Sequence, residues 1–108
     1  GINRYGSASV PMDESLVNVS LDLSGRPFLS FKGIKVEKKK IGDFDDALAE
    51  EFLRAFTNNS GTTLHIRNTI QVKNPHHLLE AAFKSLGVAL KEAVRITGKG
   101  IPSTKGSL

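Results

Sequence analysis

The sequence predicts an α+β fold: a four-stranded antiparallel sheet with two helices packed on one face. Three observations support this. Segments 16–23 and 62–70 alternate apolar and polar residues with the period of a half-buried strand. Segments beginning near Asp43 and Asn74 repeat apolar residues at three-to-four spacing, the period of a helix packed on one side. The order strand, strand, strand, helix, strand, helix then makes two layers the simplest way to bury every apolar face against another.

The elements follow in chain order. Residues 4–12, "RYGSASVPM", form a candidate first strand that can pair with the next segment, "LVNVSLDL". There Val17, Val19, Leu21 and Leu23 fall on one side, and Asn18, Ser20 and Asp22 on the other. Ser24-Gly25-Arg26-Pro27 is a turn signal, and "FLSFKGIKV" has the aromatic and β-branched content of a third strand. The first third is therefore expected to be an antiparallel meander. Behind an Asp-rich start at Asp43, Leu48, Phe52, Ala55 and Phe56 mark the first helix, and "NNSG" stops it. "TTLHIRNTI" is the fourth strand, with Leu64, Ile66 and Ile70 opposed to His65 and Arg67. Asn74 suits an N-cap and Pro75 the first helical position. Leu79, Ala82, Phe83, Leu86, Leu90, Ala93 and Val94 then stripe a second, longer helix ending before Gly98. Residues 97–108 lack an apolar period and are expected to form a mobile basic tail.

Bulk properties narrow the function. At 108 residues with 39% hydrophobic and 24% charged residues, the chain reads as a single small globular domain. No apolar run approaches the roughly 20 residues of a membrane span, and no signal-peptide pattern opens the chain, so an aqueous, cytoplasmic setting is expected. Cysteine is absent, so any metal must be held by imidazole and carboxylate. The net charge of +4, densest at Lys38-Lys39-Lys40, reads first as a solvated face. With one Tyr and no Trp there is no aromatic interleaving of the kind nucleic-acid binders use. One consequence of the two-layer picture is that helices with this many apolar positions expose a patch on their outer side. The helix layer is therefore expected to pack on another copy or another domain.

The chemistry concentrates at "NPHHLLE". His76 and Glu80, at i and i+4, can reach one ion from a helix face, and His77 lies near the edge of Glu80. Adjacent residues diverge by about 100° around a helix, so His76 and His77 cannot comfortably chelate the same ion. Either one histidine is idle or the two serve different ions completed from elsewhere. Nitrogen and oxygen donors without thiolate suit Mn²⁺, Fe²⁺ or Zn²⁺. The plainer reading is that exposed histidines begin many helices and that Glu80 pairs with Lys84. His65 reads as a lone histidine on a polar strand face, and Glu50 and Glu51 as a solvated helix face, although Glu51 flanks the apolar stripe. Arg4, Arg26, Ser103, Thr104 and Lys105 are dispersed donors that could converge on a phosphate.

Five blocks, "RYGSASVPMDE", "VSLDLSGRPFL", "GDFDDALAEEFLRAFTNNSGTTLHIR", "NPHHLLEAAFKSLGVAL" and "IPSTKG", together resemble the imidazoleglycerol-phosphate dehydratase family, in order and in one register over essentially the whole chain. The resemblance implies one half of a duplicated fold of the ribosomal protein S5 domain 2-like type. The family's chain is roughly twice as long. Its two similar halves each carry a His-His-x-x-Glu motif, and their helix pairs pack together between two sheets. Residues 1–108 match the second half only, so the helix layer is expected to meet a missing N-terminal half. Further contacts are expected from a homo-oligomer of the family's large cubic, trimer-based kind.

The resemblance also implies roles for individual residues. His76, His77 and Glu80 match a metal motif whose adjacent histidines go to two different Mn²⁺ ions. Glu51 stands where many members have a metal-ligating histidine. Arg4, Arg26, Ser103, Thr104 and Lys105 match groups that hold the substrate phosphate, and Lys84 matches a lysine lining the same pocket. The implied reaction is a lyase step of histidine biosynthesis, the dehydration of imidazole glycerol phosphate to imidazole acetol phosphate without a redox cofactor. The proton to be lost lies beside the imidazole ring and is not acidic, so metal ions on the ring and a carboxylate base, assigned to Glu80, would make its loss possible. A self-associating structural half without metal or activity is the competing expectation, and the half alone is expected to be inactive.

Overall fold

A computed structural model of the chain describes residues 1–32, 40–41, 44–68 and 75–97. Six strands and two helices follow in order: β1 (Tyr5–Met12), β2 (Ser15–Asp22), β3 (Phe28–Lys32), β4 (Lys40–Ile41), β5 (Phe44–Asp45), α1 (Asp46–Ser60), β6 (Thr63–Asn68) and α2 (Pro75–Ala93). Four strands form the main sheet in the order β1-β2-β6-β3, and β4 and β5 form a separate two-stranded ladder that the sequence did not suggest.

The sheet is mixed, which corrects the expectation of an antiparallel one. β1 pairs with β2 and β2 with β6 antiparallel, but β3 runs parallel to β6, with Phe28 opposite Thr63 and Lys32 opposite Arg67. The expected meander fails for the same reason, because β6 lies between β2 and β3. The chain leaves β3, returns through α1 and enters β6 at the end where β3 began, and such a crossover delivers a parallel strand. Alternation in "FLSFK" shows that a face is buried; it does not encode partner or direction.

The central strands form the floor of the core. Val17, Val19 and Leu21 of β2 and Leu64 and Ile66 of β6 are buried beneath Leu53 of α1 and Leu78, Ala81, Ala82, Leu86, Ala89 and Ala93 of α2. The alternate residues Asn18, His65 and Arg67 are exposed. Ser85 of α2, fully buried, receives a hydrogen bond from the Val10 N–H at 2.9 Å and donates to the Val17 carbonyl at 3.0 Å, tying the helix to both strands of the first hairpin. Against β1 the helix comes closer still. Gly6 leaves no room for a side chain, since a Cβ there would collide with the Ala89 carbonyl oxygen and lie 3.2 Å from the Ala93 Cβ.

α1 turns a different side inward than its apolar stripe suggested. Ala49, Leu53 and Thr57 are buried, whereas Leu48 and Phe52 remain 50% and 56% exposed and Ala55 is exposed too. The helix is apolar on two sides. Phe52 meets Phe83 of α2 with ring centroids 5.9 Å apart, and a shallow groove lined by Phe52, Ala55, Phe56, Asn59 and Ser60 opens beside them. With Val88 of α2 half-exposed, the outer side of the helix layer carries the uncovered apolar surface that the two-layer argument required. α1 stops where "NNSG" indicated: Gly61 takes φ +66° and its N–H bonds the Thr57 carbonyl at 2.9 Å.

The N-terminal residues close against the end of α2. The Arg4 N–H bonds the Ala93 carbonyl at 2.8 Å, and Ile2 bridges Ile96. Thr97, the one described residue of the expected mobile tail, bonds the Gly1 carbonyl through its N–H, while 98–108 lie outside the described residues. No helix among the described residues is long and apolar enough to cross a membrane.

Candidate active site

Pro75 opens α2, and the helix presents His76, His77 and Glu80 in its first two turns. The rings of His76 and His77 stand 6.5 Å apart, inclined at 65°. Neighbours on a helix project about 100° apart, an arrangement in which two imidazoles do not comfortably share one cation. Glu80 lies 3.8 Å from Lys84, the i,i+4 pair of the plainer reading, and its charge also reaches His77.

The structure adds partners that sequence spacing did not show. β1 and β2 are joined by a two-residue turn, Asp13-Glu14, with Met12 paired to Ser15. Both carboxylate oxygens of Glu14 lie 3.0 Å from His77 Nδ1, and Oδ2 of Asp13 lies 3.8 Å from His77 Nε2. The ligating atoms of Asp13, Glu14 and His77 all fall within 4.8 Å of one another. Glu14 is held below the usual carboxylate range, first by a hydrogen bond from its own backbone N–H and then by His77. His77 is pushed up, chiefly by the Glu14 hydrogen bond against the opposing cost of partial burial, with the charges of Glu14, Asp13 and Glu80 adding to it. "MDE" carries no metal-ligand spacing, and Glu14 stands 63 residues from its partner, so only the folded hairpin reveals the contact.

The remaining predicted residues occupy two places. Glu51 is exposed on α1. It adjoins Phe52, whose ring meets Phe83 midway along α2, and it does not join the Asp13, Glu14, His77 group. Arg4 and Arg26 lie at the sheet end opposite the β1–β2 turn. The Arg4 guanidinium takes Asp22 in a side-on bidentate pair, Nε at 2.7 Å and Nη2 at 3.3 Å, and its carbon stands 5.1 Å over the Tyr5 ring. That hydrogen bond to Asp22 raises its pKa. Arg26 is exposed in the following turn, where its carbonyl accepts from the Thr63 hydroxyl at 2.9 Å, and the Leu23 N–H bonds the Arg4 carbonyl. Ser103, Thr104 and Lys105 lie outside the described residues.

Two independent rulers give the span between the ends. From Tyr5 to Met12 the strand advances seven steps, about 24 Å at about 3.4 Å each. From His77 to Ala93, whose carbonyl holds the Arg4 N–H, the helix rises sixteen steps, again about 24 Å at 1.5 Å each. One chain therefore cannot bring its histidines and its arginines onto one small molecule.

Comparison with known proteins decides the family. The imidazoleglycerol-phosphate dehydratase family model matches residues 1–90, which include every candidate site residue except those of the C-terminal tail. The chain belongs to the imidazoleglycerol-phosphate dehydratase family. It is 56% identical to the imidazoleglycerol-phosphate dehydratase of Moorella thermoacetica over 100% of this chain and 55% of that one, and 54% identical to that of Clostridium acetobutylicum over 99% and 54%. Crystal structures of the dehydratases of Staphylococcus aureus and Pyrococcus furiosus superpose with TM-scores of 0.81 and 0.83 at 45% and 36% identity, covering 89% and 99% of this chain. The mixed α+β sandwich is thus a fold shared with solved dehydratases. The chain spans about half the length of the curated relatives it matches.

Proposed function

We propose that this chain supplies half of the site of a hydro-lyase of histidine biosynthesis, which converts imidazole glycerol phosphate to imidazole acetol phosphate. The observation that carries the reading is the division of the chain's chemistry between two sheet ends about 24 Å apart. A substrate with an imidazole at one end and a phosphate at the other must then meet the histidines of one unit and the arginines of another. The apolar outer side of the helix layer supports such a partner, either an N-terminal half or further copies in a trimer-based homo-oligomer.

The donor set at the histidine end fits a cation such as Mn²⁺: two divergent imidazoles, one with its Nδ1 already occupied by a carboxylate, and Glu80 one turn away. Bound metal ions would supply Lewis acidity, holding negative charge on the substrate ring. His76 and His77, directed apart, would serve two ions, with Glu51 of α1 proposed as a further carboxylate. Glu80 holds a ligand position or accepts the proton lost beside the ring, with Lys84 one turn away at 3.8 Å. At the arginine end Asp22 occupies the Nε and Nη2 edge of Arg4 and leaves the Nη1 side for a phosphate oxygen, with Arg26 as an additional donor. Ser103, Thr104 and Lys105 are proposed as further phosphate donors on the family resemblance alone. Holding both substrate ends fixes the pose. The setting proposed for this chemistry is the cytoplasm.

Reconstitution tests the reading. The chain alone, with Mn²⁺, is expected to show no dehydratase turnover, and addition of a polypeptide carrying the N-terminal half is expected to restore it. Turnover by the chain alone, or none after reconstitution into the native assembly, would overturn the proposal. The rival, a structural half without metal, predicts that Mn²⁺ leaves the melting temperature unchanged. The metal reading predicts a rise that His76→Ala and His77→Ala abolish.

A further inference from the structure

We infer that Glu14 is a positioning residue for His77, fixing the tautomer and orientation of the ring so that Nε2, not Nδ1, is the ligating nitrogen. The inference rests on the proposed metal reading for its purpose, but its geometry stands independently. Both Glu14 oxygens lie at 3.0 Å from the same ring nitrogen, so Nδ1 carries the proton in the neutral ring and Nε2 keeps its lone pair. Oδ2 of Asp13, at 3.8 Å from Nε2, is too distant to hold a proton there and near enough to favour a cation. Histidines that bind metals commonly donate their other N–H to a carboxylate, which raises ligand basicity and fixes the ring.

Three features of the fold keep this contact in place. The turn holding Glu14 has only two residues, clamped by the Met12–Ser15 pair, and Asp13 takes φ +50°, a left-handed conformation that non-glycine residues rarely adopt. The hairpin is fastened to α2 by Ser85, two turns beyond His77, through the Val10 N–H and the Val17 carbonyl. Glu14 and His77 therefore belong to one rigid unit despite the 63 residues between them. The uncommon backbone at Asp13 sits at the turn that aims a carboxylate at the ring, as expected where local strain serves a site.

The test uses the chain reconstituted with a polypeptide that carries the N-terminal half. In the metal-free protein at alkaline pH, where the ring is neutral, ¹⁵N chemical shifts of His77 are expected to report the Nδ1–H tautomer. Glu14→Ala is expected to shift it toward Nε2–H, with Glu14→Gln, whose amide oxygen still accepts, intermediate. Asp13→Asn, which tolerates the left-handed turn, is expected to leave the tautomer unchanged. Manganese titration followed by electron paramagnetic resonance is expected to show binding weakened by about 10- to 100-fold in Glu14→Ala. A Glu14 that merely fastened the turn to the helix would change melting temperature without moving tautomer or affinity. An Nε2–H ring in the wild-type protein, or a tautomer unaffected by Glu14→Ala, overturns the inference. Failure of the wild-type protein to bind Mn²⁺ instead removes the metal reading, and the ¹⁵N measurement still decides whether Glu14 sets the tautomer.

Discussion

Consider adding one methyl group at each of two glycines. At Gly6 the new Cβ would enter the backbone of α2: it meets the Ala89 carbonyl oxygen head-on, with the carbonyl carbon at 2.8 Å and the Ala93 Cβ at 3.2 Å. None of these atoms can rotate away. Carbon atoms pack best at about 3.5–4.0 Å, so α2 must retreat by roughly 1 Å, and a gap of that size costs neighbouring contacts a quarter to a half of their dispersion energy. Overpacking usually costs about 1–3 kcal/mol, and a rigid obstacle places Gly6→Ala near the upper end, about 3 kcal/mol. At about 4–8 °C per kcal/mol, the melting temperature should fall by about 12–24 °C. Gly87, exposed within α2, has nothing within 4 Å of the same methyl group. There alanine relieves a helix-interior glycine and should stabilise by about 0.5–1 kcal/mol. Urea denaturation of the two variants, with m-values unchanged from wild type, measures the pair. A Gly6→Ala loss below about 1 kcal/mol would refute the close approach of α2 to β1.

Further expectations follow from other contacts. Ser85→Ala removes the hydroxyl shared by Val10 and Val17 and strands a buried carbonyl, costing about 2 kcal/mol; Ser7→Ala on the exposed face, breaking only its contact with Ser20, should cost under about 0.5, and equal losses in denaturant titration would contradict this. In the metal-free chain, the raised His77 stabilises below the ordinary histidine value and loses that contribution as pH rises through its folded value. The lowered Glu14 stabilises above the ordinary glutamate value and loses it as pH falls. Their joint contribution should therefore be largest between about pH 4.3 and 6.5, and a Glu14→Gln stability profile parallel to wild type across that window would exclude it. Under the proposed function with further copies as the partner, mixing Arg4→Ala and His77→Ala variants of the reconstituted assembly should recover activity, because intact histidine and arginine ends can then meet between copies; a mixture no more active than its parents would overturn that version of the proposal.

Much of the fold was legible in the sequence. Alternation in "LVNVSLDL" and "TLHIR" marked the central strands because one face of each is fully buried. Partner and direction were not legible, since β3 gives the same pattern beside either neighbour, and only the α1 crossover makes it parallel to β6. α1 misled differently. Leu48, Phe52 and Ala55 point away from the sheet, because a helix apolar on two sides does not reveal which side faces its own strands. At the site, the divergence of His76 and His77 followed from helical geometry alone, whereas the contacts of Glu14 with His77 and of Asp22 with Arg4 depend on tertiary placement that no local spacing encodes.

The contact between Gly6 and Ala89 also bears on the order of events during synthesis. β1 is made before α2, and the helix that covers it becomes available only after Ala89 and Ala93 have emerged from the ribosome. Until then the buried sides of β1 and β2 have no roof, and the nascent chain carries an open sheet whose outer strand can pair with a neighbouring polypeptide. Closing the two ends pays the entropy of a loop spanning most of the chain, which places this half among the slower-folding topologies. A ribosome stalled just before Ala89 should therefore hold a protease-sensitive hairpin, and protection should arrive abruptly once the last turns of α2 are free.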